Sequence, residues 1–159
     1  MKTKLTFLLS LTFLFLFSSG VSGDDFQDGV DAYERKDYKT AYKLFLPYAE
    51  QGDADAQYNL GQMYDKGRGV PQDDKEAVKW YRLSAEQGFA EAQYNLGVMY
   101  YNGQGVPQDY VSAHMWFNFS SANGDKDAIK NRKLVETKMT KQQIEKAQEL
   151  ARNWKPTSK

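Results

Sequence analysis

Histidine occurs once in this chain of 159 residues, at His114, and cysteine does not occur at all. One imidazole cannot assemble a histidine metal site, and without a thiol neither a Cys–His nucleophile pair nor a disulfide can form. No HxxxH or CxxC spacing is present. His114 therefore reads as a surface or packing histidine rather than a catalytic base. Two Gly-x-Gly segments, residues 67–69 and 103–105, look at first like phosphate cradles. Neither carries the Lys-Ser/Thr that such a cradle needs. Asn118-Phe119-Ser120 fits the glycosylation triplet but falls inside a helical pattern, which discounts it. No catalytic residue, metal or cofactor is expected, and the chain reads as non-enzymatic.

What the sequence does contain is a repeat. Residues 54–88 recur as residues 90–124 at an offset of 36. AQYNLG returns (residues 56–61 and 92–97), then Met-Tyr (Met63-Tyr64, Met99-Tyr100), then GxGVPQD (residues 67–73 and 103–109). Ala77, Trp80 and Gly88 match Ala113, Trp116 and Gly124, and from Asp53 onward 19 of 36 positions are identical. A fixed period of this length marks a solenoid of helix–loop–helix units, in which each unit buries its apolar face against its neighbours.

Ala56, Leu60 and Tyr64, and likewise Ala92, Leu96 and Tyr100, are spaced by four and form the apolar stripe of a first helix. Gly61 and Gly97 interrupt it at a cost of roughly 1 kcal/mol relative to alanine, so a close approach of the partner helix is expected there. Gly67 and Gly103 suit a left-handed helix end. Pro71 and Pro107 bar continuation, and Asp73 and Asp109 cap the next helix. Glu76 completes a capping-box spacing with Asp73. The second helix then places Ala77, Trp80, Tyr81 and Ser84 on one face, matched by Ala113, Trp116, Phe117 and Ser120.

The pattern AxxxLGxMYxxGxGVPQDxxxAxxWxxxS(A/S)xxG resembles the Sel-one-like repeat (SLR), a relative of the tetratricopeptide repeat with a longer inter-helix loop. That resemblance implies an all-α, right-handed superhelical solenoid that holds partner proteins, and an exported one, as many bacterial members are. It also raises an alternative, a cell-wall or β-lactam hydrolase, because some disulfide-rich relatives carry such annotations. This chain lacks their cysteines and shows no nucleophile beside a base. The run RxxxxxxxMTxxQxxxAQxLARxW (residues 132–154) resembles the usual carboxy-terminal end of the exported proteins.

In chain order, residues 1–23 carry Lys2 and Lys4, an apolar run over residues 5–17 and small residues thereafter. This is the pattern of a secretory signal peptide, with cleavage expected after Gly23 or, alternatively, after Gly20. The expected location is periplasmic or secreted, with no membrane span in the mature chain and with a role as an envelope-complex subunit left open. Residues 24–52 read as a capping hairpin without the long loop, with Pro47 expected to kink its second helix. Repeats follow at 53–88 and 89–124. Residues 125–159 read as a degenerate repeat and a last helix, opened by a Thr140/Gln143 capping box, with Ile144, Ala147, Leu150/Ala151 and Trp154 on one face. Seven or eight helices in consecutive antiparallel pairs are expected.

Residues 24–124 hold 9 basic and 16 acidic side chains, a net of −7, and residues 125–159 hold 10 and 5, a net of +5. The repeats have no basic face, which argues against a nucleic-acid partner. A protein or peptide partner remains. Residues shared by both copies are explained by packing and turns, so recognition is sought where the copies differ. The resemblance to tetratricopeptide scaffolds puts a concave groove on the first helices, at Tyr58 and Gln62 in one copy and Tyr94, Val98 and Tyr101 in the next. Tyr58 and Tyr94, present in both copies, are equally open to packing between repeats. Gln62 is read as exposed. Aromatic and apolar anchors centre the expected site on Tyr94, Val98 and Tyr101.

Overall fold

Every stretch of fourfold apolar spacing becomes a helix. The computed structural model describes residues 23–157, so residues 1–22 of the expected signal peptide lie outside the described residues and Gly23 opens the first helix. Eight helices and no strand occur among the described residues. They are α1 (Gly23–Glu34), α2 (Tyr38–Glu50), α3 (Ala54–Lys66), α4 (Asp74–Glu86), α5 (Ala90–Asn102), α6 (Tyr110–Ala122), α7 (Lys126–Glu136) and α8 (Lys141–Asn153). From α1 to α7 each helix packs on its neighbours in the chain, giving a helical solenoid whose first helices are α1, α3, α5 and α7. None of the described helices is long and apolar enough to cross a membrane.

The starts and stops are local chemistry. Asp53 accepts from the Ala56 N–H at 2.9 Å, Asp73 from Lys75 and Glu76 at 2.9 and 3.1 Å, and Asp109 from Val111 at 2.9 Å. Glu76 does not reach back to close the expected box. Its carboxylate pairs instead with Lys79 at 3.1 Å, one turn on, where that cation is within reach. Gly67 and Gly103 end α3 and α5 in the left-handed conformation. Pro47 sits inside α2, which runs unbroken from Tyr38 to Glu50.

The intra-helical glycines let the partner helix come close, as expected, and what they make room for is a ring of that helix. A Cβ on Gly61 would lie 2.5 Å from the Tyr81 ring, and one on Gly97 would lie 2.8 Å from the Phe117 ring. Tyr81 and Phe117 are each 1% exposed, so the second helix of each pair presses its largest fully buried side chain onto bare backbone. The first hairpin uses the same joint: a Cβ on Gly29 would meet Phe45 at 2.8 Å.

Neighbouring units are also joined by buried polar bonds. Gln57 donates to the Ala49 carbonyl at 3.0 Å and Gln93 to the Ala85 carbonyl at 3.1 Å, satisfying carbonyls at the end of the preceding helix. Gln57 also accepts from Gln87 at 2.7 Å. At the equivalent position after Gln93 stands Asn123, one methylene shorter, which bonds Phe119 instead, and the Gln93 Oε1 is left unpaired.

The expected pairing fails at the last helix. The Thr140/Gln143 box forms in both directions, at 2.8 and 3.2 Å. Yet α8 packs on α6, the helix that α7 also covers. The cause is Trp154, whose ring stacks on Phe119 with centroids 4.4 Å apart and meets Trp116 edge-on at 6.0 Å. Two residues beyond Trp154 is Pro156, and then Thr157, whose N–H and hydroxyl both donate to the Glu86 carbonyl at the end of α4. Ala147 is fully buried, but Leu150, expected on the same face, is exposed. Trp154→Ala should therefore cost about 2 kcal/mol, less than the 3–5 typical of a fully buried aromatic, because the ring is half exposed. Thermal melting followed by circular dichroism measures it, and an unchanged midpoint would contradict this docking.

Candidate partner-binding site

The face that α5 turns towards α7 is set by its register. Tyr94, Val98 and Tyr101 are four and three apart and so stand in one row. With Phe117 from α6 and Asn131, Leu134 and Val135 from α7 they line a cleft of about 240 Å³. The Tyr94 ring lies on Phe117 with centroids 5.7 Å apart, and its hydroxyl accepts from the Asn131 amide at 3.0 Å. The Tyr101 ring lies on Tyr110 at 5.7 Å. All three row members are half-buried, each leaving part of its surface in the cleft.

Tyr58 and Gln62, one repeat earlier, do not join this cleft. Tyr58 packs between Tyr81 and Phe89, at 6.0 and 5.0 Å. Burial raises its phenol above the usual range, with the Gln62 bond acting the other way. Gln62 is not exposed as expected. It is half-buried, donates to the Tyr58 hydroxyl and accepts from Tyr33 at 3.5 Å. Arg68 donates to that same Tyr33 at 2.6 Å. The row is polar and internally bonded here, and apolar and open one repeat later.

The α7 wall was missed because Arg132-Lys133 stand where the repeat has Leu-Gly, which reads as the end of the array. The register still held the clue. Gln62, Val98 and Leu134 follow one another at the 36-residue offset, growing steadily more apolar. Leu134 is 47% exposed at the lip of the cleft.

His114 is a packing residue. It is 2% exposed and its Nε2 meets Glu136 Oε1 at 2.8 Å, while Nδ1 is buried without a partner. Beside it Arg132 donates to Asn118 at 2.6 Å. This is the junction that Tyr42 and Tyr64 fill with a 3.0 Å hydroxyl pair two units earlier. It fastens α7 to α6. No cluster of three or more metal-ligating side chains occurs among the described residues.

The Sel1 repeat family model matches residues 26–53, 54–89 and 90–125, well over half of the chain. The chain belongs to the Sel1 repeat family. The first match takes the amino-terminal hairpin as a repeat in its own right, in keeping with its Gly29–Phe45 joint. Sel1 repeat folds commonly serve as protein-interaction scaffolds. Among solved structures, the chain is similar to a protective antigen present in uropathogenic Escherichia coli strains that displays an SLR fold. Identity is 35% and the TM-score 0.77 over 82% of this chain and 29% of that one. It is also similar to a Sel1 repeat protein from Oxalobacter formigenes, with 30% identity and a TM-score of 0.68 over 78% of this chain and 55% of that one. Both relatives are longer, and this chain spans less than a third of the first and about half of the second. None of the curated proteins matches the chain.

Proposed function

We propose that this Sel1 repeat protein is an exported, non-enzymatic scaffold that docks a peptide or a protein segment on its first-helix face, centred on Tyr94, Val98 and Tyr101. The observation that carries this reading is the cleft itself: three half-buried side chains of α5 line it together with Asn131, Leu134 and Val135 of α7. Partly exposed aromatic and aliphatic anchors grouped in a concavity are the usual centre of a protein interface. Export rests on the amino-terminal pattern of Lys2, Lys4 and the apolar run that follows.

The test is the double substitution Val98→Asp, Tyr101→Ala. Its melting midpoint should fall by only a few degrees, because both residues are partly exposed and sit at the edge of the cluster formed by Ala113, Phe117, Ala128 and Val135. A photo-crosslinking residue at Val98 should capture a partner in the native cell envelope, and the same probe at the exposed Leu83 on α4 should not. Capture that is equal at the two positions, or that survives Tyr101→Ala made alongside the Val98 probe, would place binding elsewhere.

A further inference from the structure

Three features of the cleft say what its occupant must be. The first is size. At about 240 Å³ the space falls below the roughly 300–1,000 Å³ of small-molecule and cofactor pockets, and suits one large side chain entering from outside.

The second is charge. None of the residues lining the cleft carries a charge, and the only ionisable acid or base on α5 is Glu91 in its first turn. The α7 side is different. Lys130 and Lys133 flank Leu134, and Lys138 lies one helical turn beyond it. All three are exposed, and none has an ion-pair partner among the described residues. Of the two carboxylates on α7, Glu136 is taken up by His114, and Asp127 sits in the first turn, two turns from Leu134.

The third is the contrast along the first-helix row. Helix α1 carries five carboxylates and no base, and α3 carries Asp55 and Asp65 against Lys66. An acidic segment is repelled from the α1 end and drawn to the α7 end, and a basic segment is sorted the opposite way. A second copy of this chain fits poorly. The acidic helix α1 has the charge to match, but its large apolar side chain Phe26 is engaged by Phe45 and Tyr48.

We propose that the cleft between α5 and α7 takes one large apolar side chain presented by an acidic segment of a partner protein, with Lys130, Lys133 and Lys138 reading the flanking carboxylates. This rests on the docking reading above and adds the chemistry of the partner.

The experiment is selection of a random linear-peptide phage library on the purified protein. Selected peptides are then measured against the protein, against Leu134→Asp, and against the triple reversal Lys130→Glu, Lys133→Glu, Lys138→Glu. Thermal melting shows that the variants, altered only at exposed positions, remain folded. Selected peptides should carry one Leu, Ile, Phe or Trp among Asp and Glu. Their affinity should fall at least tenfold with Leu134→Asp, at least tenfold with the triple reversal, and steeply with added salt.

Peptides that lose binding with Leu134→Asp but are neutral or basic, or are indifferent to the triple reversal, would overturn the acidic partner and leave the docking face standing. Peptides indifferent to Leu134→Asp and to Val98→Asp alike, or no enrichment at all, would overturn both. A dimer in sedimentation that Leu134→Asp dissolves would make the occupant a second copy, and would equally overturn the proposal.

Discussion

Gly97→Val should lower stability by about 3 kcal/mol, at the upper end of what overpacking costs. The Cβ alone would lie 2.8 Å from two atoms of the Phe117 ring. That ring is 1% exposed and also packs on Tyr94, so any retreat from the new side chain disturbs a packed contact. In a domain of this size the loss corresponds to a fall in melting temperature of roughly 10 °C. A double-mutant cycle isolates the cause. Gly97→Ala combined with Phe117→Leu should cost about 1 kcal/mol less than the two changes summed, because the smaller, ringless side chain leaves space for the added methyl. Additive losses would show that ring and glycine do not bear on one another.

Gly105→Ala should cost about as much, for a different reason. Its φ of +67° charges any other residue roughly 1–2 kcal/mol, and the new Cβ would run into the Asp74 carbonyl and come within 2.9 Å of the Lys75 nitrogen. Both are backbone atoms at the start of α4, which cannot turn aside as a flexible side chain can. The loop of one repeat would have to lift from the helix of the repeat before it. Gly124→Ala is the matched control, with a φ of +91° and nothing within 4 Å of the added methyl. It should lose only the backbone part, about 1 kcal/mol. Urea unfolding of the pair reads the value of the inter-repeat contact as the difference between them. Equal losses would mean that the loop does not rest on α4.

These glycines also show how far the chain can be read unaided. Glycine at Gly61 and Gly97 is conspicuous inside a helical stripe, so a close contact there is legible. Which atoms make it is not, because Tyr81 and Phe117 lie 20 residues further on and helical spacing is silent across a loop. In the first hairpin the same joint, Gly29 with Phe45, spans only 16 residues, and the shorter turn hides it from any alignment at a fixed offset. Capping by Asp73 and Asp109 could be foreseen because cap and helix are adjacent in the chain. The docking of Trp154 could not, because periodicity shows that a helix has an apolar face but not what that face will meet. The site divides in the same way. The row of Tyr94, Val98 and Tyr101 follows from the register of a single helix, whereas the facing wall depends on how α7, with a weakened pattern, stacks against α5. Gln62 was misjudged because one of its two partners, Tyr33, comes from α1, across a hairpin that helical spacing does not span.

In a stack whose members touch only their neighbours, either end can open without consulting the other. The bond from Thr157 to the Glu86 carbonyl breaks that rule, since it joins points 71 residues apart. Opening the α8 end means withdrawing Trp154 from α6 and Thr157 from α4 together, whereas α1 is released by parting from α2 and giving up the bonds of Tyr33 to Gln62 and Arg68. Backbone amides should accordingly exchange with solvent first in α1 and last around α4 and α6. Opening should therefore begin at the α1 side, with the cleft between α5 and α7 in the half that keeps its shape.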